Sequence, residues 1–171
     1  MSNLQLVFNI YSTFCYQKGV TFAKEIKMAQ TKIDKTPISQ AFDDVRSDKS
    51  ETEWLVCKYQ ENDIKLTGSG QGWDEFKGSF GAGDRGFGYI RIETGDELSK
   101  RAKFVLVTWV GPGVSMIKKA KMSVDKTLVK EVILNYSVEI QLDNEGEFDY
   151  AYFKDQLVKA GGANYGTGKR D

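Results

Sequence analysis

Periodic and alternating apolar positions divide the chain downstream of residue 27 into a series of helices and strands. A hydroxyl residue before a proline, Thr36-Pro37, predicts a helix start with Thr36 as the N-cap, and this helix is expected to end near Ser47. Runs rich in β-branched and aromatic residues predict strands, and two more apolar patterns predict helices. The predicted strands are Glu53–Tyr59, Asp63–Thr67, Phe87–Thr94, Lys100–Val110 and Tyr136–Leu142, and the predicted helices are Trp73–Lys77 and Phe148–Ala160.

Two of the predicted strands form a long hairpin. Phe87–Thr94 and Lys100–Val110 are separated by a turn that contains Gly95-Asp96, and such turn residues between two apolar runs are typical of hairpins. The stretch from Lys103 to Val110 is almost continuously apolar, which predicts a central strand that is covered on both faces. Gly111-Pro112-Gly113 then ends the strand. A mixed sheet with helices on both faces accommodates this order of elements.

A lysine-rich helix is predicted after this strand. At about 100° per residue, its apolar side chains cluster around Leu128, and a stripe of lysines lies on the opposite side. Lys121 falls on the apolar side, which predicts an irregular first turn before Met122. The apolar face consists of Ile117, Val124, Leu128 and Val132, widened by Val129 and Ile133. The stripe consists of Lys119, Lys126 and Lys130.

Composition excludes several classes of chemistry. The chain has 171 residues, of which 40% are apolar, so one packed domain with a tail is expected. Histidine is absent, which excludes Ser-His-Asp and Cys-His catalysis and histidine zinc sites. The two cysteines, Cys15 and Cys57, are too few for a Cys₄ zinc site and fit a reducing compartment. Asp43-Asp44 and the acidic residues within 143–149 fall on solvated faces or turns, so we expect no catalytic residue, metal or cofactor.

Positive charge is concentrated in one part of the chain. The totals balance at 24 basic and 24 acidic residues, but the segment from Leu98 to Lys130 contains eight basic residues and one acid, Asp125. A neutral chain with one strongly basic third is electrically polar and is expected to approach an acidic partner in one orientation. The basic residues are Lys100, Arg101, Lys103, Lys118, Lys119, Lys121, Lys126 and Lys130.

One motif resembles a nucleotide-binding loop. Residues Gly81 to Gly86 read G-x-G-x-x-G, but the dinucleotide motif requires a strand before the glycines and a helix after them. Here a strand follows, and without histidine the kinase version of the motif is excluded as well. The segment is therefore interpreted as a flexible connector.

A second motif resembles an RNA-binding signature. Arg85 to Ile92 matches the RNP1 pattern of RRM domains at seven of eight positions, and Phe87 and Tyr89 would stack bases from one face. No RNP2-like strand lies at the usual distance upstream, and a sheet covered on both faces leaves no open stacking surface. Core aromatic residues on a strand are the favoured interpretation, and a single-stranded RNA-binding module is the alternative.

Longer strings resemble the coactosin branch of the actin-depolymerising factor/cofilin homology superfamily. The resemblance covers Met28 to Tyr165 in the correct order, and the strings S-K-R-x-K-F and K-A-G-G-A-N-Y are specific. The strings that carry it are 31–35, 91–104, 108–111, 125–132 and 159–165. It implies an α/β (α+β) fold, a single domain in which a central mixed sheet of five to six strands lies between helices on both faces.

The resemblance also implies a partner and a surface. Members of this branch bind actin filaments without severing or depolymerising them, and they can oppose barbed-end capping. The filament contact is implied for Lys103, with its neighbours Lys100 and Arg101, and the helix residue Lys130 lies on the same binding side. We therefore expect a monomeric, cytoplasmic and cytoskeleton-associated protein that binds no nucleic acid and does not insert into membranes. The predicted actin-binding residues are Lys100, Arg101, Lys103, Lys119, Lys126 and Lys130.

Three segments are expected along the chain. Residues 1–27 are an N-terminal extension, weakly structured or contributing an edge strand, without the features of a signal peptide or a membrane span. Residues 28–166 form the homology domain, and residues 167–171 form a flexible tail. The stretch from Met28 to Lys35 contains no serine, so the phosphorylated serine that switches cofilins has no counterpart in it.

Overall fold

The computed structural model describes residues 30–95 and 100–161. The predicted extension, the C-terminal tail and residue 96 of the predicted hairpin turn lie outside these ranges. In the described part, four α-helices and five strands follow one another with a short 3₁₀ turn, Glu145–Glu147. The helices are α1 (Lys35–Arg46), α2 (Trp73–Gly78), α3 (Met116–Lys130) and α4 (Tyr150–Ala160). The strands are β1 (Trp54–Gln60), β2 (Asp63–Gly70), β3 (Arg85–Thr94), β4 (Arg101–Val110) and β5 (Val138–Leu142).

The five strands form one mixed sheet in the order β2-β1-β3-β4-β5. All neighbours are antiparallel except β4 and β5, which run parallel because α3 crosses over between them. The predicted hairpin is confirmed: β3 and β4 pair along their whole length, from Arg85 opposite Val110 to Thr94 opposite Arg101. The predicted central position of the apolar strand is confirmed as well, since β4 lies between β3 and β5.

Helices cover both faces of the sheet, as the fold prediction requires. On one face, α1 and α3 bury a cluster that includes Phe42, Met122 and Val129. On the other face, α2 and α4 bury a cluster dominated by aromatic rings. Because β4 alternates its side chains between the two clusters, Leu106 packs on the first face and Trp109 on the second. The sheet is therefore the middle of three layers.

The first helix begins two residues earlier than predicted. Its N-cap is Asp34, not Thr36, and Pro37 occupies the third helical position. This placement is physically sound because the first four N–H groups of a helix have no partner within the helix, so a proline in the first turn removes no hydrogen bond. The predicted end near Ser47 is confirmed, since Ser47 is the C-cap.

The glycine-rich segment before β3 is a hydrogen-bonded loop, which corrects its interpretation as a flexible connector. The Trp109 indole donates to the Gly81 carbonyl oxygen over 2.9 Å, and the Gly111 amide donates to the Asp84 carbonyl oxygen over 2.8 Å. A Cβ on Gly111 would lie 2.2 Å from the Ala82 carbonyl oxygen, so glycine is required for this close approach. The loop is therefore hydrogen-bonded to the C-terminal end of β4, which precedes α3 in the chain.

Candidate functional site

The six predicted actin-binding residues lie on two separate elements. Lys100 immediately precedes β4. Arg101 and Lys103 are the first and third residues of β4, at the end of the β3–β4 hairpin. The other three, Lys119, Lys126 and Lys130, lie on α3.

At the hairpin end, Arg101 is exposed and Lys103 is half-buried. Lys103 pairs with Ile92, whose side chain belongs to the aromatic cluster, so Arg101 and Lys103 project from the face of the sheet that carries α2 and α4. Neither cation makes an ion pair with another described residue, whereas Lys100 reaches Glu93 at 4.0 Å. Within residues 30–95 and 100–161, no ion pair therefore competes with a partner for these two cations.

Helix α3 is rotated from the predicted orientation. The sequence analysis placed Leu128 at the centre of the buried face, but the residues of this helix that are buried are Met122, Asp125 and Val129. The buried face is turned by about 100° from the predicted one at the usual helical period. The physical reason is a buried polar contact: the Asp125 carboxylate accepts hydrogen bonds from the hydroxyls of Thr31 and Tyr59.

The predicted irregular first turn of α3 is also wrong. The helix is continuous from Met116 to Lys130. In the observed rotation Lys121 no longer lies on the buried side, and its ammonium group donates to the Asn62 side-chain oxygen at 3.3 Å. No break is needed to bring this lysine to the surface.

The observed orientation of α3 exposes Ile117 and Val124, which were predicted to be buried, and Met116 beside them. Met116, Ile117 and Val124 are 79%, 76% and 74% exposed, and we call these three residues the α3 strip. Lys119, next to the strip in sequence, makes no ion pair with any residue in 30–95 or 100–161. The exposure of Ile117 and Val124 was missed because their seven-residue spacing is that of a buried helix face. The signal that could have revealed the strip is Asp125, which is the single acidic residue among the lysines of this helix.

Two of the predicted lysines are engaged within the protein. Lys126 and Lys130 each contact the Glu139 carboxylate on β5 at 2.5 Å. Burial acts to raise the pKa of Glu139, but the hydrogen bonds from the two lysines outweigh it and lower that pKa from its usual value. Lys126 and Lys130 therefore do not lie on a free solvated face, as was predicted, but link α3 to the edge strand β5. Reversing both charges would place three carboxylates together.

Replacing Glu139 by glutamine is expected to lower the free energy of unfolding by about 1 kcal/mol at neutral pH, since a half-exposed ion pair contributes modestly. Because the folded pKa of Glu139 lies below the unfolded value, its contribution is present above the unfolded pKa and is lost as pH falls through the folded pKa. Urea unfolding of parent and variant at neutral pH and at about pH 3 measures this. A stability difference that persists at the acidic pH would contradict the electrostatic origin.

The aromatic residues of the RNA-binding motif are buried. Phe87 and Tyr89 have no exposed surface and belong to the core under α1 and α3. The Tyr89 hydroxyl donates to the Asn135 carbonyl oxygen at 2.6 Å, and its ring stacks on Phe104 at 5.5 Å. Neither ring can stack on a base, so the alternative of an RRM-type module has no structural support.

The described residues offer neither a metal site nor a membrane-spanning helix. Residues 30–95 and 100–161 contain no group of three or more histidine, cysteine, aspartate or glutamate side chains placed to hold a metal ion. No helix in the same ranges combines the length and apolar character that crossing a bilayer requires.

Comparison with known proteins gives consistent matches. The model of the family described as cofilin/tropomyosin-type actin-binding protein matches residues 30–158. A coactosin-like protein from Bos taurus is 41% identical over 135 residues, covering 79% of this chain and 95% of the bovine protein. A crystal structure of human coactosin-like protein superposes with a TM-score of 0.73 at 38% identity, covering 76% of this chain and 99% of the other.

A third match carries a functional description. The solution structure of mouse coactosin, described as an actin filament binding protein, superposes with a TM-score of 0.67 at 39% identity. The alignment covers 79% of this chain and 95% of the mouse chain.

Proposed function

The chain belongs to the coactosin branch of the cofilin/tropomyosin-type actin-binding proteins, and we propose from this premise that it binds actin filaments. The observation that carries the proposal is the α3 strip. Large apolar side chains of a monomeric domain are normally turned inward, and a cluster of exposed ones on one helix is typical of a protein-binding surface. The neighbouring cations supply the charge that an acidic partner requires.

The α3 strip is proposed as the apolar centre of one contact surface. Its three members occupy two and a half turns of one helix, and a helix that presents such residues can lie in a groove of a partner. Lys119 lies beside it and is proposed as a rim contact, where a charge mainly raises the rate of association. Burial of exposed apolar side chains supplies the affinity.

The hairpin end is proposed as a second, charged contact surface. Lys100, Arg101 and Lys103 project from the end of the hairpin, whereas α3 covers the opposite face of the sheet from the one that Lys103 faces. A partner that repeats along an axis can engage two such separated surfaces at once, which raises the overall affinity by effective concentration. We therefore expect filaments to bind more tightly than single actin subunits.

The remaining two lysines have a smaller proposed role. Because Lys126 and Lys130 share the single carboxylate of Glu139, half of their combined charge is compensated inside the protein. Lys130 also lies 5.8 Å from the centre of the Tyr136 ring. We propose that both contribute to the positive field that orients the approach to actin, and that neither anchors the contact.

The experiment that tests the proposed function is co-sedimentation with actin filaments, paired with a binding titration against actin monomers. The full chain is expected to pellet with filaments in a saturable manner and to bind monomers at least tenfold more weakly. Equal affinity for both forms would contradict the two-surface contact. A chain that stays in the supernatant at every filament concentration would contradict the proposed function altogether.

Filament affinity is expected to fall with ionic strength. Exposed charges are screened beyond about 10 Å at 0.1 M salt, so the contribution of the hairpin end weakens as salt increases. Raising the salt from about 0.05 M to about 0.2 M is expected to reduce the affinity about threefold or more, while binding persists through the apolar contact. Pelleting at several salt concentrations measures this. A filament affinity that is the same at every salt concentration would show that the cations do not take part in the contact.

Finer properties follow from the family resemblance as proposals. We infer that the bound chain does not sever filaments, that it can oppose capping of the barbed end, and that it is associated with the cytoskeleton. Its role is that of a binding protein, without a catalytic step. Imaging of single filaments measures severing directly, and elongation in the presence of a capping protein measures opposition to capping. Shortened filaments would contradict the first proposal, and unchanged capping the second.

A further inference from the structure

A buried carboxylate lies at the centre of the inward face of α3. Asp125 is 6% exposed and accepts hydrogen bonds from Thr31 Oγ1 at 2.8 Å and from the Tyr59 hydroxyl at 3.1 Å. Its two donors are 94 and 66 residues away in the sequence, one before α1 and one on β1. The three side chains therefore join α3 to two distant parts of the domain, and we call them the Asp125 clamp.

Helix α3 has two apolar faces, and the clamp lies on the less apolar one. Ile117, Val124 and Leu128 form one face, whereas Met122 and Val129 flank Asp125 on the other. Burial of apolar surface alone would turn the first face inward, as the periodicity of the sequence predicts. A buried carboxylate without partners is strongly unfavourable, so the observed rotation depends on the hydroxyls that satisfy it.

One of the two donors, Tyr59, is itself held in place by Arg85. The Arg85 guanidinium lies 3.6 Å from the centre of the Tyr59 ring and donates to the Lys118 carbonyl oxygen of α3 at 3.3 Å. Burial, with the negative charge of Asp125, raises the pKa of Tyr59, so its phenol stays protonated and remains a donor. The clamp is thus a built arrangement that connects β1, β3 and α3.

We propose that the Asp125 clamp sets the rotation of α3 and thereby decides which of the two apolar faces is presented to the partner. Thr31 and Tyr59 are positioning residues that act through Asp125 and do not touch the partner. With the clamp intact, the α3 strip faces outward. Without the two hydroxyls, α3 turns so that Asp125 reaches water and Ile117 and Val124 pack inward. The part of this inference that concerns actin rests on the proposed function.

Thiol labelling tests the rotation without actin. One reporter chain carries Val124→Cys and another carries Met122→Cys, both with Cys15→Ser. Cys57 does not interfere, because its burial raises the pKa of its thiol to about 12. In the parent, a thiol at position 124 is expected to label at least tenfold faster than one at position 122. Thr31→Val with Tyr59→Phe is expected to invert this order.

An inverted order of the two labelling rates distinguishes rotation of α3 from local unfolding. Local unfolding would raise both labelling rates, and an unimportant clamp would leave both unchanged; either result would overturn the proposal. Thr31→Ser keeps the hydroxyl and is expected to preserve the parental order. If the double variant does not fold, Thr31→Val alone is used, because it removes only one donor. It is expected to reduce the difference between the labelling rates at positions 124 and 122. A difference as large as in the parent would overturn the proposal.

Filament pelleting adds the functional result. The variant with Thr31→Val and Tyr59→Phe is expected to lose at least tenfold in filament affinity, whereas Thr31→Ser binds like the parent. If the parent does not bind filaments, the proposed function fails but the labelling order still tests the clamp. If the labelling order inverts while filament affinity stays at the parental level, the clamp does not govern the contact and the inference about actin is overturned.

Discussion

Replacing the three residues of the α3 strip by serine is expected to reduce filament affinity about 100-fold, which corresponds to about 2.7 kcal/mol of binding free energy. Each member is more than 70% exposed in the free protein, so its apolar surface is available for burial by a partner. Full burial of one such side chain contributes about 1.5–3 kcal/mol, and central apolar contacts dominate most interfaces. The loss of three is therefore expected to outweigh the loss of any single cation.

The same substitutions are expected to leave the fold intact. Because the strip makes little contact with the core, the melting temperature of the variant is expected to lie within a few degrees of the parental value. Val158→Ser on α4 is the matched control, since Val158 is exposed but lies away from α3. Co-sedimentation and thermal unfolding of both variants measure the two effects. Parental affinity in the strip variant would show that α3 does not carry the contact.

Replacing Lys103 by alanine is expected to lower filament affinity about tenfold, which corresponds to about 1.4 kcal/mol. The side chain is half-buried at the hairpin end, and no ion pair with a described residue competes with a partner for its charge. Its removal is expected to change the stability by less than about 1 kcal/mol, because a lysine charge at the protein surface that makes no ion pair with a described residue contributes little to folding. The effect is expected to shrink at high salt.

Lys77→Ala is the control for this prediction. Lys77 is an exposed lysine on α2, outside the basic segment, and its loss is expected to leave filament affinity unchanged. Equal losses in the two variants would indicate a general effect of net charge. An unchanged affinity of Lys103→Ala at low salt would show that the contact implied by the family resemblance does not apply to this chain.

Local signals in the sequence were enough to predict most of the sheet. The β3–β4 hairpin and the central position of β4 follow from apolar content and turn residues that are close together in the chain. Phe153 and Leu157 on α4 are buried as their spacing predicts. Boundaries were less accurate: β2 extends to Gly70, beyond the predicted end at Thr67, because its last residues pair with β1.

The orientation of α3 could not be predicted from the helix alone. Its periodicity favours burial of Val124, but Asp125 is held inside by Thr31 and Tyr59, and both donors are distant in the sequence. Side-chain pairs of this kind leave no local pattern. The same limit applies to Lys126 and Lys130, whose shared partner Glu139 lies on a strand beyond the helix. The cations of the candidate site were predicted from the sequence, whereas the exposure of the α3 strip is seen only in the structure.

Hydroxyl-radical footprinting of the chain bound to actin filaments tests the proposed contact most directly. Methionine side chains are oxidised readily, and Met116 is 79% exposed in the free protein, whereas Met122 is buried and serves as an internal reference. Saturating filaments are expected to slow the oxidation of Met116 at least fivefold and to leave Tyr152 on α4 unchanged. Oxidation of Met116 at the same rate in the pelleted chain would contradict a contact through α3.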